Sequence, residues 1–182
     1  MISRRFHCGY CNTMIASKRG WNCFDSSRGI RGEIRICPHC NYPTFFEGSH
    51  QIPGVSSGES IDHVPESVNK LYEEARLSTA AGAFTAAVLA LRKLLMNIAV
   101  DRGASKNLSF QNYVDYLAEK HYVPPNGKEW VDIIRNKGND ATHEIIIMTQ
   151  SDAEQLISFA GMLLKFIYEF PTKARPTVHK PA

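Results

Sequence analysis

From Val64 onward, apolar residues recur at helical spacing. Val68, Leu71, Tyr72 and Ala75 fall three and four residues apart behind Pro65, which suits the first turn of a helix. Gly82 closes that segment, and a more apolar helix is expected from Phe84 to Val100, ending near Gly103. Ser109 to Lys120 reads as a third helix, closed by Pro124-Pro125-Asn126-Gly127. A fourth is expected to start at Lys128-Glu129-Trp130-Val131. Ser151, with Glu154 three residues on, reads as a capping box for a fifth helix running to about Phe170. About five helices joined by short loops predict an all-α bundle over residues 64–170, with a core of Ala, Leu, Ile and Phe.

Before that point the period changes. Gly20 to Asp25 and Glu33 to Cys37 alternate as short strands do. Between the two regions, residues 49–63 are rich in Gly, Ser and Pro, with few large apolar side chains, and read as a linker. Residues 171–182 hold three prolines and little to bury, and read as a flexible tail. The expected fold class is therefore α+β: a small N-terminal module of antiparallel strands over residues 1–48, then the bundle.

Composition narrows the class. The chain has 182 residues, of which 43% are apolar and 21% charged, which describes a globular chain rather than a disordered one. No apolar run reaches the ~18–20 residues of a membrane span, and no signal-peptide core precedes the first cysteine, so the expected compartment is the cytoplasm. The net charge of +3 is unevenly placed: residues 1–53 carry seven Lys/Arg against three Asp/Glu, and the rest is close to balanced. That points weakly to an anionic partner for the N-terminal part.

All five cysteines lie before residue 41. Cys8-Gly9-Tyr10-Cys11 and Cys37-Pro38-His39-Cys40 form two C-x2-C pairs separated by twenty-five residues. Each pair can set two thiolates on one tight turn, and two such turns supply the four thiolates of a tetrahedral zinc site. The module resembles a zinc ribbon, with one structural zinc per chain as its cofactor and metal binding supplying most of its folding free energy. Two disulfides are the alternative, which a cytoplasmic compartment disfavours. Cys23 is left over as a core or strand thiol, and His7 and His39 flank the ligands without joining them. Arg4, Arg5, Lys18, Arg19, Arg28, Arg31 and Arg35 surround the module, with Tyr10, Trp21, Phe24 and Tyr42 interleaved. Such a mixture can contact phosphate and stack bases, or the aromatics can form the mini-core while the arginines keep it in solution.

A second group of candidates lies in Trp130-Val-Asp-Ile-Ile-Arg-Asn-Lys-Gly-Asn-Asp-Ala-Thr-His143. On a helix, Arg135, Asn139 and His143 fall at i, i+4 and i+8, one polar row along a drifting face. A cation, an amide and an imidazole in a row make a phosphate site, where Arg grips the anion and His exchanges a proton near neutral pH. The same residues also have plain structural roles open to them. Arg135 can pair with Asp132 or Glu129, and Asn139 can cap the helix.

Three segments together carry a resemblance: Val64-Pro-Glu-Ser-Val, Gly82-Ala-Phe-Thr-Ala-Ala-Val with Leu91-Arg-Lys-Leu-Leu, and Ile134-Arg-Asn-Lys-Gly-Asn-Asp-Ala-Thr-His. They are similar to the family called domain of unknown function 4145, over about residues 64–170, and some members of that family carry an N-terminal zinc ribbon. The resemblance implies a HEPN-type α-helical domain. Many HEPN proteins are metal-independent ribonucleases of toxin–antitoxin, restriction and antiphage systems, and others are non-catalytic adaptors. By that likeness Arg135 matches the signature arginine, Asn136 the polar residue after it, and His143 the histidine, with Asn136 or Asn139 orienting the phosphate or His143. It also implies a homodimer through the bundle, RNA or another nucleic acid as partner, and a protein partner such as an antitoxin. Seven residues separate Arg135 from His143, one more than the four to six usual in the signature.

Overall fold

The computed structural model describes residues 1–27, 29–123 and 147–174. The chain divides into two compact units: residues 1–57 with 77–83, and residues 58–76 with 84–182. Antiparallel strands come first and helices follow, an α+β arrangement.

The first unit holds six strands. β1 (Arg4–His7) pairs antiparallel with β2 (Met14–Ser17). β3 (Gly20–Phe24), β4 (Ile30–Ile36), β5 (Pro43–Glu47) and β6 (His50–Ile52) form a second, four-stranded antiparallel sheet in chain order. β6 lies within the stretch 49–63 that composition alone read as linker. Gly20 opens β3 at φ +146°, and a Cβ there would stand 1.9 Å from the Ile34 carbonyl oxygen, so only glycine lets the two strands start this close.

A period of two gives this sheet two unlike faces. One carries Arg35, Thr44 and Phe46, all buried. On that side Phe46 meets Phe6 of β1 edge to face, with ring centroids 4.9 Å apart, and Gln51 donates to the His7 carbonyl at 2.8 Å. The Arg4 guanidinium lies 3.9 Å over the Phe46 ring and bonds Glu33 at 2.6 Å, and Glu33 also pairs with Arg35. Arg35 is only 4% exposed and donates to the Ile2 and Ser17 carbonyls as well. One carboxylate thus serves two guanidiniums and ties β1, β2 and β4 together. Burial alone would raise the Glu33 pKa; the hydrogen bonds and charges of Arg35 and Arg4 outweigh it and hold the carboxyl below its usual range.

The second unit holds the helices. α1 (Glu66–Ala80), α2 (Phe84–Asp101), α3 (Phe110–Glu119) and α4 (Gln150–Leu164) are the long ones, and α4 runs on through a π turn (Lys165–Glu169) into the short α5 (Phe170–Lys173). Four long helices among the described residues correct the expected count of about five; the segment from Lys128, expected as a helix, lies outside the described residues. α2 is central. Ala87, Leu91, Leu94, Leu95 and Ile98 form one buried stripe on it, and it packs against both α3 and α4. Ile61, from the stretch 49–63, joins this core.

Helix ends follow their caps. Ser109 accepts from the Asn112 amide at the start of α3. At α4 the expected box of Ser151 and Glu154 is corrected to Thr149 and Asp152, two residues earlier. Thr149 is extended (φ −88°, ψ 167°), its hydroxyl accepts the Asp152 amide, and the Asp152 carboxylate accepts the Thr149 amide at 2.8 Å. Either pair fits the spacing, and the backbone torsion at Thr149 decides between them.

Replacing Glu33 with Gln leaves the Arg35 charge buried without its counter-ion. We expect Glu33→Gln to destabilise the first unit by about 2–4 kcal/mol, read by chemical denaturation. Because the Glu33 pKa is lowered on folding, its contribution is complete above the unfolded value of about 4.3 and is lost as pH falls through the folded one. The stability gap between wild type and Glu33→Gln should therefore close as the solution is acidified.

Candidate metal centre

The two C-x2-C segments fold alike. In the first, the Asn12 amide donates to the Cys8 carbonyl at 2.9 Å and the Cys8 amide to the Thr13 carbonyl at 3.0 Å. In the second, Asn41 donates to Cys37 at 2.9 Å and Cys37 to Tyr42 at 3.0 Å. Each turn closes on an asparagine in the left-handed region, Asn12 at φ 53° and Asn41 at φ 62°. Asparagine tolerates that conformation better than most side chains. The repeated signal is therefore C-x2-C-N, one residue longer than the cysteine spacing by itself suggests.

These turns bring four sulfurs together. All four Sγ atoms of Cys8, Cys11, Cys37 and Cys40 lie within 4.8 Å of one another. Across the turns, Cys8 stands 3.6 Å from Cys40 and Cys11 3.8 Å from Cys37. A tetrahedral ion about 2.3 Å from each sulfur needs edges of about 3.8 Å. A disulfide needs about 2.05 Å, and all five cysteines are free. Cys8 and Cys37 are fully buried against Phe6 and Phe46, while Cys11 and Cys40 are half-buried.

The electrostatics suit a cation. Burial pushes the Cys40 thiol up to about 12 and raises Cys8. Burial would raise Cys11 too, but hydrogen bonds from Thr13 and His39 overcome it and bring that thiol down to about 6. Four adjacent sulfurs cannot all ionise by themselves, because each new negative charge opposes the next. A bound cation reverses that and deprotonates them together. Backbone amides are already aimed at the sulfurs, from Tyr10 and Cys11 to Cys8 and from Cys40 to Cys37. The four cysteines can thus hold one metal ion, with no ligand position left open for a substrate.

Other expected residues fall differently. His39 is exposed and is not part of the cluster. Cys23 is half-buried in β3. Of the basic residues grouped by sequence, Arg35 is buried and bound to Glu33, Arg4 shares that carboxylate, and Arg31 pairs with Glu47 at 3.5 Å. Arg5, Lys18 and Arg19 remain exposed, with Arg19 reaching Asn41 at 3.2 Å, and Arg28 lies outside the described residues. Tyr10 and Tyr42 stack on each other, centroids 4.7 Å apart. Arg135, Asn136, Asn139 and His143 lie outside the described residues.

The outer face of the four-stranded sheet carries an apolar row straight across all four strands, because Trp21 pairs with Ile34, Ile34 with Phe45, and Phe45 with Ile52. Trp21 is 64% exposed and Ile52 52%. The alternation of single strands hints at such a row, but only the register aligns it.

We expect one metal ion per chain by elemental analysis, and less than one in Cys37→Ser. Chelation should unfold the first unit while the helical circular dichroism persists. Metal binding is worth about 10–16 kcal/mol in small metal-folded peptides, and the buried core beneath this cluster is only Phe6 and Phe46 with the two inner cysteines.

No helix among the described residues is long and apolar enough to cross a membrane. No curated protein and no solved structure matches the chain. The family model described as Domain of unknown function (DUF4145) matches residues 73–180, from within α1 onward and across Arg135, Asn136, Asn139 and His143. That match covers more than half of the chain, which belongs to this family.

Proposed function

We propose that the protein acts on RNA: a zinc-stapled ribbon holds a single strand, and a HEPN-type helical domain cuts it. The observation that carries the nucleic-acid partner is the open row Trp21, Ile34, Phe45 and Ile52 on a sheet whose edge strand follows directly on Lys18 and Arg19. The exposed indole of Trp21, with the half-buried Phe45 ring in the same row, gives bases a π face to stack on, and flanking cations meet the phosphates. Zinc is the metal best suited to four thiolates at this spacing, and its role is structural.

The cutting half rests on the sequence. Arg135-Asn136 and His143 fall inside the family match. In this reading the RNA 2′-hydroxyl attacks the adjacent phosphorus and gives its proton to His143. The 5′-oxygen leaves, takes up a proton, and a 2′,3′-cyclic phosphate and a 5′-hydroxyl remain. Arg135 balances the charge growing on the phosphate oxygens. Asn136 or Asn139 orients the phosphate or the imidazole. Two protomers would each contribute one Arg–His pair to a shared groove, which makes a homodimer part of the proposal, and a defence or toxin role with an antitoxin partner is its biological setting. The cytoplasm is the matching compartment.

A second reading is an adaptor that binds RNA or a partner protein without cutting. The seven-residue gap between Arg135 and His143 favours it, since one extra residue turns a side chain by about 100° on a helix.

RNA incubated with the protein in EDTA, with metal content measured in parallel, separates the two. The nuclease reading expects cyclic-phosphate ends that disappear in His143→Ala. Absence of cleavage by folded, metal-loaded dimer selects the adaptor. Under either, Trp21→Ala should weaken binding of a single-stranded oligonucleotide about tenfold, in line with the loss of one stacked base. Unchanged affinity would remove the sheet from the proposal.

A further inference from the structure

The helical unit contains a cleft of about 300 Å³. Its walls are Ile157 and Met162 of α4 with Phe166 and Phe170 of the π turn and α5, and the loop Gly58–Ile61 closes one side. The loop is held from beneath. Arg76, itself 5% exposed and fixed by Glu73 at 2.8 Å, donates to the Gly58 carbonyl at 3.2 Å and to Ser60 at 3.1 Å. The cleft is therefore built into the fold.

Tyr72 lines it. This residue is 1% exposed, and its hydroxyl has no hydrogen-bond partner among the described residues. At the cleft wall this hydroxyl can donate to a partner from outside. Space around it is kept by two glycines: a Cβ on Gly58 or on Gly161 would come within 2.9 Å of the hydroxyl oxygen. Lys165 stands one turn beyond Gly161, and helical side chains lean toward the preceding turn. Its ammonium is ion-paired with Glu59, next to Gly58, and the Glu59 side chain is 75% exposed where that of Lys165 is 31%. An exposed carboxylate of the chain thus already sits against a sheltered ammonium at the rim of an apolar cleft.

We propose that this cleft binds a medium-chain alkyl carboxylate. The hydrocarbon lies among Ile157, Met162, Phe166 and Phe170. The carboxylate takes the place of Glu59 against Lys165 and accepts a hydrogen bond from Tyr72. One ammonium and one hydroxyl satisfy a monoanion, whereas the second charge of a phosphate would face apolar walls unpaired. The volume fits a small molecule at the lower end of ligand clefts, about 300–1,000 Å³, rather than a protein segment. The π turn contributes as well, since such turns recur at binding sites and this one carries Lys165 and Phe166.

The test uses full-length, metal-loaded protein and isothermal titration with octanoate and octan-1-ol. Octanoate should bind saturably and raise the melting temperature, and octan-1-ol should bind more weakly. Tyr72→Phe should weaken octanoate about fivefold to tenfold, and Lys165→Gln should abolish the preference for octanoate over octan-1-ol. Glu59→Gln, at an exposed side chain outside the core, should tighten octanoate and leave octan-1-ol unchanged. The proposal is overturned if octanoate shows no saturable binding, or if Glu59→Gln and Tyr72→Phe both bind it as wild type does.

Discussion

The first unit depends on four sulfurs being held within 4.8 Å of one another. Little else could hold it. Its buried cluster consists of Phe6, Phe46 and the two inner cysteines, and a core of that size does not offset the chain entropy of six strands. The two turns that carry the cysteines lie at the ends of different strand pairs. Joining them fixes where the β1–β2 pair sits on the larger sheet. The Glu33 carboxylate between Arg4 and Arg35 completes that joint on the buried face. A metal ion held by all four cysteines would fasten the unit and offer no open position to a substrate.

Fastening one face of the sheet leaves the other open. With the inner face committed to Phe46, Thr44 and Arg35, the period of two sends Trp21, Ile34, Phe45 and Ile52 outward, where the β1–β2 pair does not reach. Exposing a tryptophan and an isoleucine on one row is the observation on which the proposed single-stranded partner rests, with Lys18 and Arg19 beside it. The inner arginines do not contribute, since their charge is spent on Glu33. The basic balance of the N-terminal part therefore overstates the charge available to a partner.

The helical unit solves its packing by ordinary means, with one apolar stripe on α2 facing α3 and α4. Its departures from that pattern gather at one place. The π turn after Leu164, the close approach of Gly58 and Gly161 to Tyr72, and the Lys165–Glu59 pair all border the same cleft.

Much of this was written in the sequence. Two C-x2-C pairs fixed the ligands, because a thiolate turn is a local structure that four residues specify. The helices from Phe84 to about Val100 and from Ser109 to Lys120 were legible from their local spacing and punctuation. The DUF4145 relationship was also readable from the segments around Gly82 and Arg135. What depends on contacts between distant residues was not. β6 was hidden in a stretch that composition reads as linker, because a three-residue strand is stabilised by its neighbour β5 and not by its own pattern. Ser151 and Thr149 both fit a capping box until the backbone torsion chose Thr149. The row from Trp21 to Ile52 needed the register of four strands, and the partners of Arg4 and Arg35 needed β1 laid against β4. The cleft needed Tyr72 and Gly161, eighty-nine positions apart, brought to within contact. Local chemistry was set by the order of residues; alignment and enclosure were set only when packing brought separate segments to the same point.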